Sequence, residues 1–223
     1  MTLYAVIVAG GSGKRMGSDI PKQFLELGGK PVLMHTIERF SGFSSAIRII
    51  VVLPGDQLAI WQSLVAEYSF TIPHMTVRGG STRFSSVKNG LELADGDGLV
   101  AIHDGVRPLV STATIRRCFE AAEKYGNAVP VVSNTGSLRL LTGNGSMAVS
   151  RQHIMVVQTP QVFRTGLIRN AYRQDYCEEF TDDATVLEKT GIPIHLVDGN
   201  RENIKITNPE DMLVAAALLP VIS

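Results

Sequence analysis

The sequence predicts an α/β fold built on a mostly parallel sheet. Three observations lead there. Apolar runs such as Tyr4 to Val8 and Ile47 to Leu53 are rich in β-branched residues and show no polar alternation, as in strands buried on both faces. Segments with helical spacing of apolar residues lie between such runs. Glycine-containing polar clusters follow the strands, where ligand loops sit at the carboxyl ends of parallel strands.

In chain order, Tyr4 to Val8 is the first strand and ends abruptly in Gly10-Gly11-Ser12-Gly13. Met34, Ile37 and Phe40 share one face of a helix that Pro31 opens. Ile47 to Leu53 is a strand closed by Pro54-Gly55, Leu58 to Tyr68 a helix, and Met75 to Val77 a short strand stopping at Gly79-Gly80. Ser81 to Leu93 reads as a helix, and Gly98 to Ile102 as a strand ending in His103-Asp104-Gly105-Val106-Arg107-Pro108. Ser111 caps a helix running to about Tyr125, and Asn127 to Val132 is the next strand. Two strands then flank the Asn144-Gly145 turn, over Ser137 to Leu141 and Met147 to Gln158. They form a β-arm at about 133–157 that projects from the body and needs a cover, most economically a second subunit. Gly166 to Tyr176 and Asp183 to Lys189 read as helices, with Thr181-Asp182-Asp183 as a capping region. Ile192 to Val197 and Ile204 to Thr207 return as strands, and Asn208-Pro209 opens the last helix. The expectation is a Rossmann-like sheet flanked by helices, with Gly10–Gly13, Gly79–Ser81 and His103–Arg107 converging on one crevice.

Bulk properties narrow the function. A chain of 223 residues makes one domain, taken as 1–223 with the arm included. Lys and Arg balance Asp and Glu at 21 each, so no general nucleic-acid surface is expected and anion binding must come from local clusters. Cys118 and Cys177 offer neither a disulfide framework nor metal-ligand spacing, as in a reducing cytoplasmic setting. No apolar run approaches the ~20 residues that a membrane span requires, and the amino terminus lacks the features of a signal peptide.

The first strand and its glycine turn present backbone N–H groups beside Lys14, Arg15 and Lys22, an arrangement suited to phosphate. Two better-known motifs fail on named residues. The dinucleotide fingerprint needs glycine where Met16 stands, and the P-loop needs glycine at Val8 and a hydroxyl at Arg15. A purely structural turn would have no need of three cations.

Ala9-Gly-Gly-Ser-Gly-Lys-Arg-Met16 followed by Pro21-Lys-Gln-Phe-Leu25 resembles the signature of sugar-nucleotide pyrophosphorylase-type nucleotidyltransferases. Its Pro-Lys-Gln element is similar to that of the polyol-phosphate cytidylyltransferases. Further blocks follow in order: His103 to Pro108, Gln158 to Gln161, Thr181 to Ala184 and Asn203 to Thr207. They look most like the branch that uses 2-C-methyl-D-erythritol 4-phosphate in non-mevalonate isoprenoid synthesis. The ribitol-5-phosphate branch is the alternative.

The resemblance implies transfer of CMP from CTP to a polyol phosphate, with Mg2+ neutralising the triphosphate. Arg15 and Lys22 would stabilise the transition state, and Gly10, Gly11 and Gly13 would offer N–H groups to the phosphates. Gly80, Ser81 and Ser86 would read the base and ribose. Asp104 is a candidate for contact with nucleotide, metal or substrate, and Arg107 for binding substrate or ordering the loop by pairing with Asp104. Arg151, Thr159 and Lys205 would grip the acceptor phosphate, with Ser137 preferred to Thr135 as the arm's hydroxyl. Arg83 either reaches the site or covers a helix start, and His103 is read as a packing residue. The family's arm exchange implies a homodimer in which Arg151 serves the partner's site.

Overall fold

The computed structural model describes residues 1–10 and 20–222. At its centre β1 (Thr2–Val8) pairs in parallel with β4 (Arg48–Leu53) on one side and β6 (Gly98–Asp104) on the other. β4 carries β5 (Met75–Arg78), also parallel. Beyond β6 lies β11 (Gln161–Arg164), antiparallel both to β6 and to the next strand, β7 (Asn127–Ser133). β7 pairs in addition with β10 (Met155–Val157), antiparallel, and β12 (Leu196–Asp198), parallel. The order therefore reverses between β1 and β6, and the carboxyl ends of those two strands flank the switch point where open α/β sheets bind ligands.

Alternation along β1 explains why the strand reads as continuously apolar. Ala5 and Ile7 enter one core with Phe40 of α1 (Val32–Phe43), Trp61 of α2 (Leu58–Glu67) and Ile115 of α4 (Thr112–Tyr125). Tyr4 and Val6 enter the opposite core with Phe84 of α3 (Arg83–Glu92), Ile168 of α5 (Thr165–Ala171) and Val186 of α6 (Asp183–Glu188). Both faces are covered, so both sets of side chains must be apolar. A smaller cluster joins Val106 and Ile206 to Ala215 of α7 (Pro209–Leu218).

Local chemistry fixes the helix starts near the crevice. Thr82 accepts from the Ser85 N–H at 3.0 Å while Ser85 Oγ accepts from the Thr82 N–H at 2.9 Å, a reciprocal cap. α3 therefore begins at Arg83, two residues later than the sequence pattern suggests, and Gly80 and Ser81 stay in the loop before it. Ser111 caps α4 as expected, and Gly126 ends that helix in the left-handed conformation at φ 93°.

Several expectations are corrected. Ile204 to Thr207 is not a strand; the Ile206 N–H bonds to the Val106 carbonyl and ties this loop to the one after β6. The strand expected over Ile192 to Val197 forms only as the shorter Leu196–Asp198, and the helix expected over Gly166 to Tyr176 ends at Ala171. The arm is smaller than expected. Its hairpin comprises β8 (Leu138–Thr142) and β9 (Gly145–Val149), a 3-10 turn over Arg151–His153 interrupts the second strand, and Met155–Val157 returns to the main sheet as β10. Two short strands that the pattern did not reveal, β2 (Glu26–Leu27) and β3 (Lys30–Pro31), form a separate ladder.

Candidate active site

A pocket of about 310 Å³ opens at the carboxyl ends of β1 and β6. Its wall takes Val8, Ala9 and Gly10 from the end of β1, Gly80 to Arg83 and Ser86 from the start of α3, and Asp104 from the end of β6. Lys22 and Lys205 close it from two loops far apart in sequence. The sequence-predicted segments thus meet, with one reservation of scope: Gly11, Gly13, Lys14 and Arg15 lie outside the described residues.

Asp104 organises the floor. The carboxylate is 7 % exposed and faces three cations: Lys205 Nζ at 3.1 Å and Arg107 Nε at 3.0 Å from Oδ2, and Arg83 Nε at 3.8 Å from Oδ1. Burial alone would raise its pKa, but Lys205, Arg83 and Arg107 together hold it well below the usual carboxylate range. Arg107 also donates from Nη1 to the Asn203 carbonyl at 2.8 Å, so it orders the loop as well as pairing with Asp104. It is not part of the pocket wall, and the loop-ordering role fits its position.

Behind the floor, Thr159 Oγ1 accepts the Asp104 N–H at 3.1 Å and lies 2.9 Å from His103 Nδ1. His103 Nε2 is 3.1 Å from the Arg107 carbonyl. A carbonyl only accepts, so Nε2 carries the ring proton and Nδ1 accepts from the threonine. Burial lowers the His103 pKa to about 4, and the neutral ring matches this pattern. His103 does pack, edge-on to Phe40 at 5.1 Å, yet it is also a hydrogen-bonded brace. Thr159 is directed inward in this structure, at the back of Asp104 rather than on the pocket wall.

The loop before α3 is braced similarly. Ser86 Oγ accepts from the Gly80 N–H at 3.1 Å and donates to the Thr82 carbonyl at 2.8 Å. A Cβ on Gly80 would lie 2.3 Å from Ser85 Oγ, so only glycine fits this close turn. Lys22 is buried and donates to the Ile206 carbonyl at 3.2 Å, which joins the Pro-Lys-Gln block to the Lys205 loop.

Arg151 and Ser137 stand elsewhere. Both belong to the arm segment, and Arg151 donates to the Thr135 carbonyl at 2.6 Å at an exposed position. Neither lines the pocket of its own chain.

Four residues near the site have no signal in the sequence pattern. Gln23 is fully buried and donates from Nε2 to the Ala9 carbonyl at 2.9 Å, which braces the end of β1. Asn203 donates to the Thr159 carbonyl at 2.7 Å. Asp183 takes both Nη groups of Arg83, and Tyr172 donates to Asp183. The expected capping role belongs to Asp182, which accepts from the Thr185 N–H at 2.9 Å, and leaves Asp183 for a different task. Gln23, Asn203 and Asp183 stand inside blocks visible in the sequence, but those blocks carry no signal for these contacts, and Tyr172 stands in none.

The family model of 2-C-methyl-D-erythritol 4-phosphate cytidylyltransferase matches residues 3–220. The chain belongs to this family. The protein of that name from Bacteroides thetaiotaomicron is 54% identical over 219 residues, covering 98% of this chain and 100% of its relative. Its counterpart from Syntrophus aciditrophicus is 38% identical, with 97% and 95% covered. Among solved structures, 4-diphosphocytidyl-2C-methyl-D-erythritol synthase from Anaerococcus prevotii superposes with a TM-score of 0.83 at 28% identity, over 98% of this chain and 96% of that one. The cytidylyltransferase from Thermus thermophilus gives 0.77 at 32% identity, over 96% and 98%. The chain therefore has the α/β fold of these cytidylyltransferases. No helix among the described residues is long and apolar enough to cross a membrane.

Proposed function

We infer that this chain transfers CMP from CTP to 2-C-methyl-D-erythritol 4-phosphate, giving CDP-methylerythritol and pyrophosphate for isoprenoid synthesis. The observation that carries the chemistry is a switch-point pocket walled by Lys22, Arg83 and Lys205 around one carboxylate, Asp104. Such a wall suits a polyanion. In the reaction an acceptor phosphate oxygen attacks the α-phosphorus of CTP in line, the bond to the β-phosphate breaks, and its electron pair leaves with pyrophosphate. This step needs positioning and charge stabilisation rather than a nucleophilic side chain or a strong base.

Lys22 and Arg15 are the proposed stabilisers of charge on the phosphoryl oxygens, with Gly10, Gly11 and Gly13 as backbone donors. Gly80, Ser81 and Ser86 shape the nucleoside end. There the Gly80 turn brings backbone close to the base, and Ser86 holds that turn through its hydroxyl. Lys205 and Arg107 serve the acceptor side, and Thr159 supports it through the Asp104 backbone.

Mg2+ fits this residue set as an ion carried mainly by the phosphates. Asp104 Oδ2 is engaged by Lys205 and Arg107, whereas among the described residues Oδ1 has only Arg83 at 3.8 Å, so this carboxylate oxygen would be the protein ligand. When bound, the ion would neutralise triphosphate charge.

The arm supports a homodimer. Leu140, Leu141 and Met147 are exposed on it, and Leu141 reaches 82 % exposure. Exposed apolar residues on a projecting hairpin favour a protein partner. Arg151 and Ser137 would then meet the acceptor in the partner's pocket.

Pyrophosphate release from CTP, with methylerythritol phosphate and ribitol 5-phosphate offered side by side, tests the reading. Turnover should favour methylerythritol phosphate. Preference for ribitol 5-phosphate would reassign the acceptor, and release with neither would contradict the reading.

A further inference from the structure

Asp183 is a buried charge that the reaction as described does not use. It is 0 % exposed, and its carboxylate receives Arg83 Nη1 at 2.8 Å on Oδ1 and Nη2 at 2.6 Å on Oδ2. Tyr172 donates to Oδ1 at 2.6 Å. The tyrosine ring in turn stacks on Phe84, the neighbour of Arg83, with centroids 4.7 Å apart. α3, α5 and α6 therefore meet around one ion pair.

We propose that Asp183 and Tyr172 are positioning residues that hold Arg83 in the nucleotide pocket and keep it from closing onto Asp104. A guanidinium has five N–H donors, and the end-on fork to Asp183 consumes two of them. The Nε–H and one hydrogen on each Nη are left for the pocket side. Arg83 Nε sits 3.8 Å from Asp104 Oδ1, close enough to sense its charge but too far for a hydrogen bond. Without Asp183 the flexible Arg83 side chain has a nearer alternative, a direct pair with Asp104. That pair would consume the cation and the one carboxylate oxygen that Lys205 and Arg107 leave over.

The arrangement is a row of alternating charge: Asp183, Arg83, Asp104, then Lys205 and Arg107. A buried carboxylate fixes the far end of the row because among the described residues it has no other counter-charge, and it is 0 % exposed. Burial disfavours the charged guanidinium, but Asp183 and Asp104, with Tyr172, together outweigh it and raise the Arg83 pKa, so the fork stays ionised. Lysine at position 83 would keep the charge and lose the fork.

The inference rests on the nucleotide reading above, and its test separates the two. CTP binding is measured by calorimetry without acceptor for wild type, Asp183→Asn, Tyr172→Phe and Arg83→Lys. Asp183→Asn and Arg83→Lys should each weaken binding by ~10-fold or more, the scale of losing one well-aligned charged contact. Tyr172→Phe keeps the ring stack and should weaken it less, by about 2- to 5-fold, so it remains informative if Asp183→Asn does not fold. Asp183→Asn combined with Arg83→Ala should bind no worse than Arg83→Ala alone, because both act through one group. A ligand-free readout accompanies these: the Arg83 Nη protons, which Asp183 holds, should exchange slowly in wild type and faster in Asp183→Asn. Folded Tyr172→Phe and Arg83→Lys proteins that bind CTP like wild type would overturn the proposal, as would losses that multiply in the double variant. If wild type binds no CTP, the functional reading fails, and the Nη exchange then decides whether Asp183 clamps Arg83.

Discussion

The pocket floor and the arm carry cations of the same kind and treat them in opposite ways. Arg83 and Arg107 are held by carboxylates and carbonyls at 2.6 to 3.0 Å, between packed helices and strand ends. Arg151 is exposed at the base of a two-stranded hairpin, and among the described residues its side chain donates to one backbone carbonyl. The floor is organised before any ligand arrives, which suits groups that must meet charge without reorganising. The arm has the geometry of a part that is completed by something else. In the proposed homodimer one chain builds the nucleotide wall and another supplies the end of the acceptor site.

Removing a wall cation is the largest expected effect. Lys22→Ala should lower turnover by ~100-fold or more, the usual scale for a lost transition-state donor, and should leave folding intact. Near-normal turnover in a pyrophosphate-release assay would remove Lys22 from the chemistry. Asp104→Asn should cost both activity and about 2 to 4 kcal/mol of stability, because it leaves Arg107 and Lys205 facing each other without their shared carboxylate. Urea unfolding at neutral pH measures this, and a midpoint equal to wild type would mean that the three cations are not held by that carboxylate.

The contrast sharpens with acid. His103 has its folded pKa lowered from 6.5 to about 4 by burial, so between those values the unfolded chain binds a proton that the folded chain refuses. Stability is thus full above pH 6.5 and is lost as pH falls toward 4, at up to about 1.4 kcal/mol per pH unit. Asp104, whose pKa is depressed, adds a second loss once pH falls below the ordinary carboxylate range. Urea midpoints taken between pH 7 and 5 should fall in wild type, and the slope should flatten in His103→Gln. An unchanged slope in that variant would place the titrating group elsewhere.

The arm should show the smallest effect on the isolated fold. Leu141→Asp changes an exposed residue, so the midpoint of unfolding of the body should move by less than about 0.5 kcal/mol. Sedimentation should shift toward monomer. A dimer that persists unchanged would take Leu141 out of the interface.

The same contrast explains what the sequence revealed. The central strands were legible because both faces of the sheet are covered, so Tyr4 to Val8 and Ile49 to Leu53 must be apolar throughout. The crevice was legible because Gly10 and Gly80 come just after β1 and β5 and Asp104 ends β6. β11 was missed because it spans only four residues and is polar at both ends, at Gln161 and Arg164. The expected strand over Ile204 to Thr207 failed because its apolar residues pack under α7 and beside Val106 instead of joining a ladder. Asp183 was read as part of a cap because Thr181-Asp182-Asp183 has cap composition. Its real partner, Arg83, is 100 residues away, and no local pattern encodes such a pair.

Subunit complementation tests the two-chain site most directly. Arg151→Ala and Lys22→Ala proteins, each inactive alone, are mixed under conditions that exchange subunits, and heterodimers are verified by differential tagging. A heterodimer contains one pocket with intact Lys22 that receives an intact Arg151 from the other chain, so pyrophosphate release should recover in part. Heterodimers that stay inactive would contradict arm exchange and place Arg151 in its own chain's site.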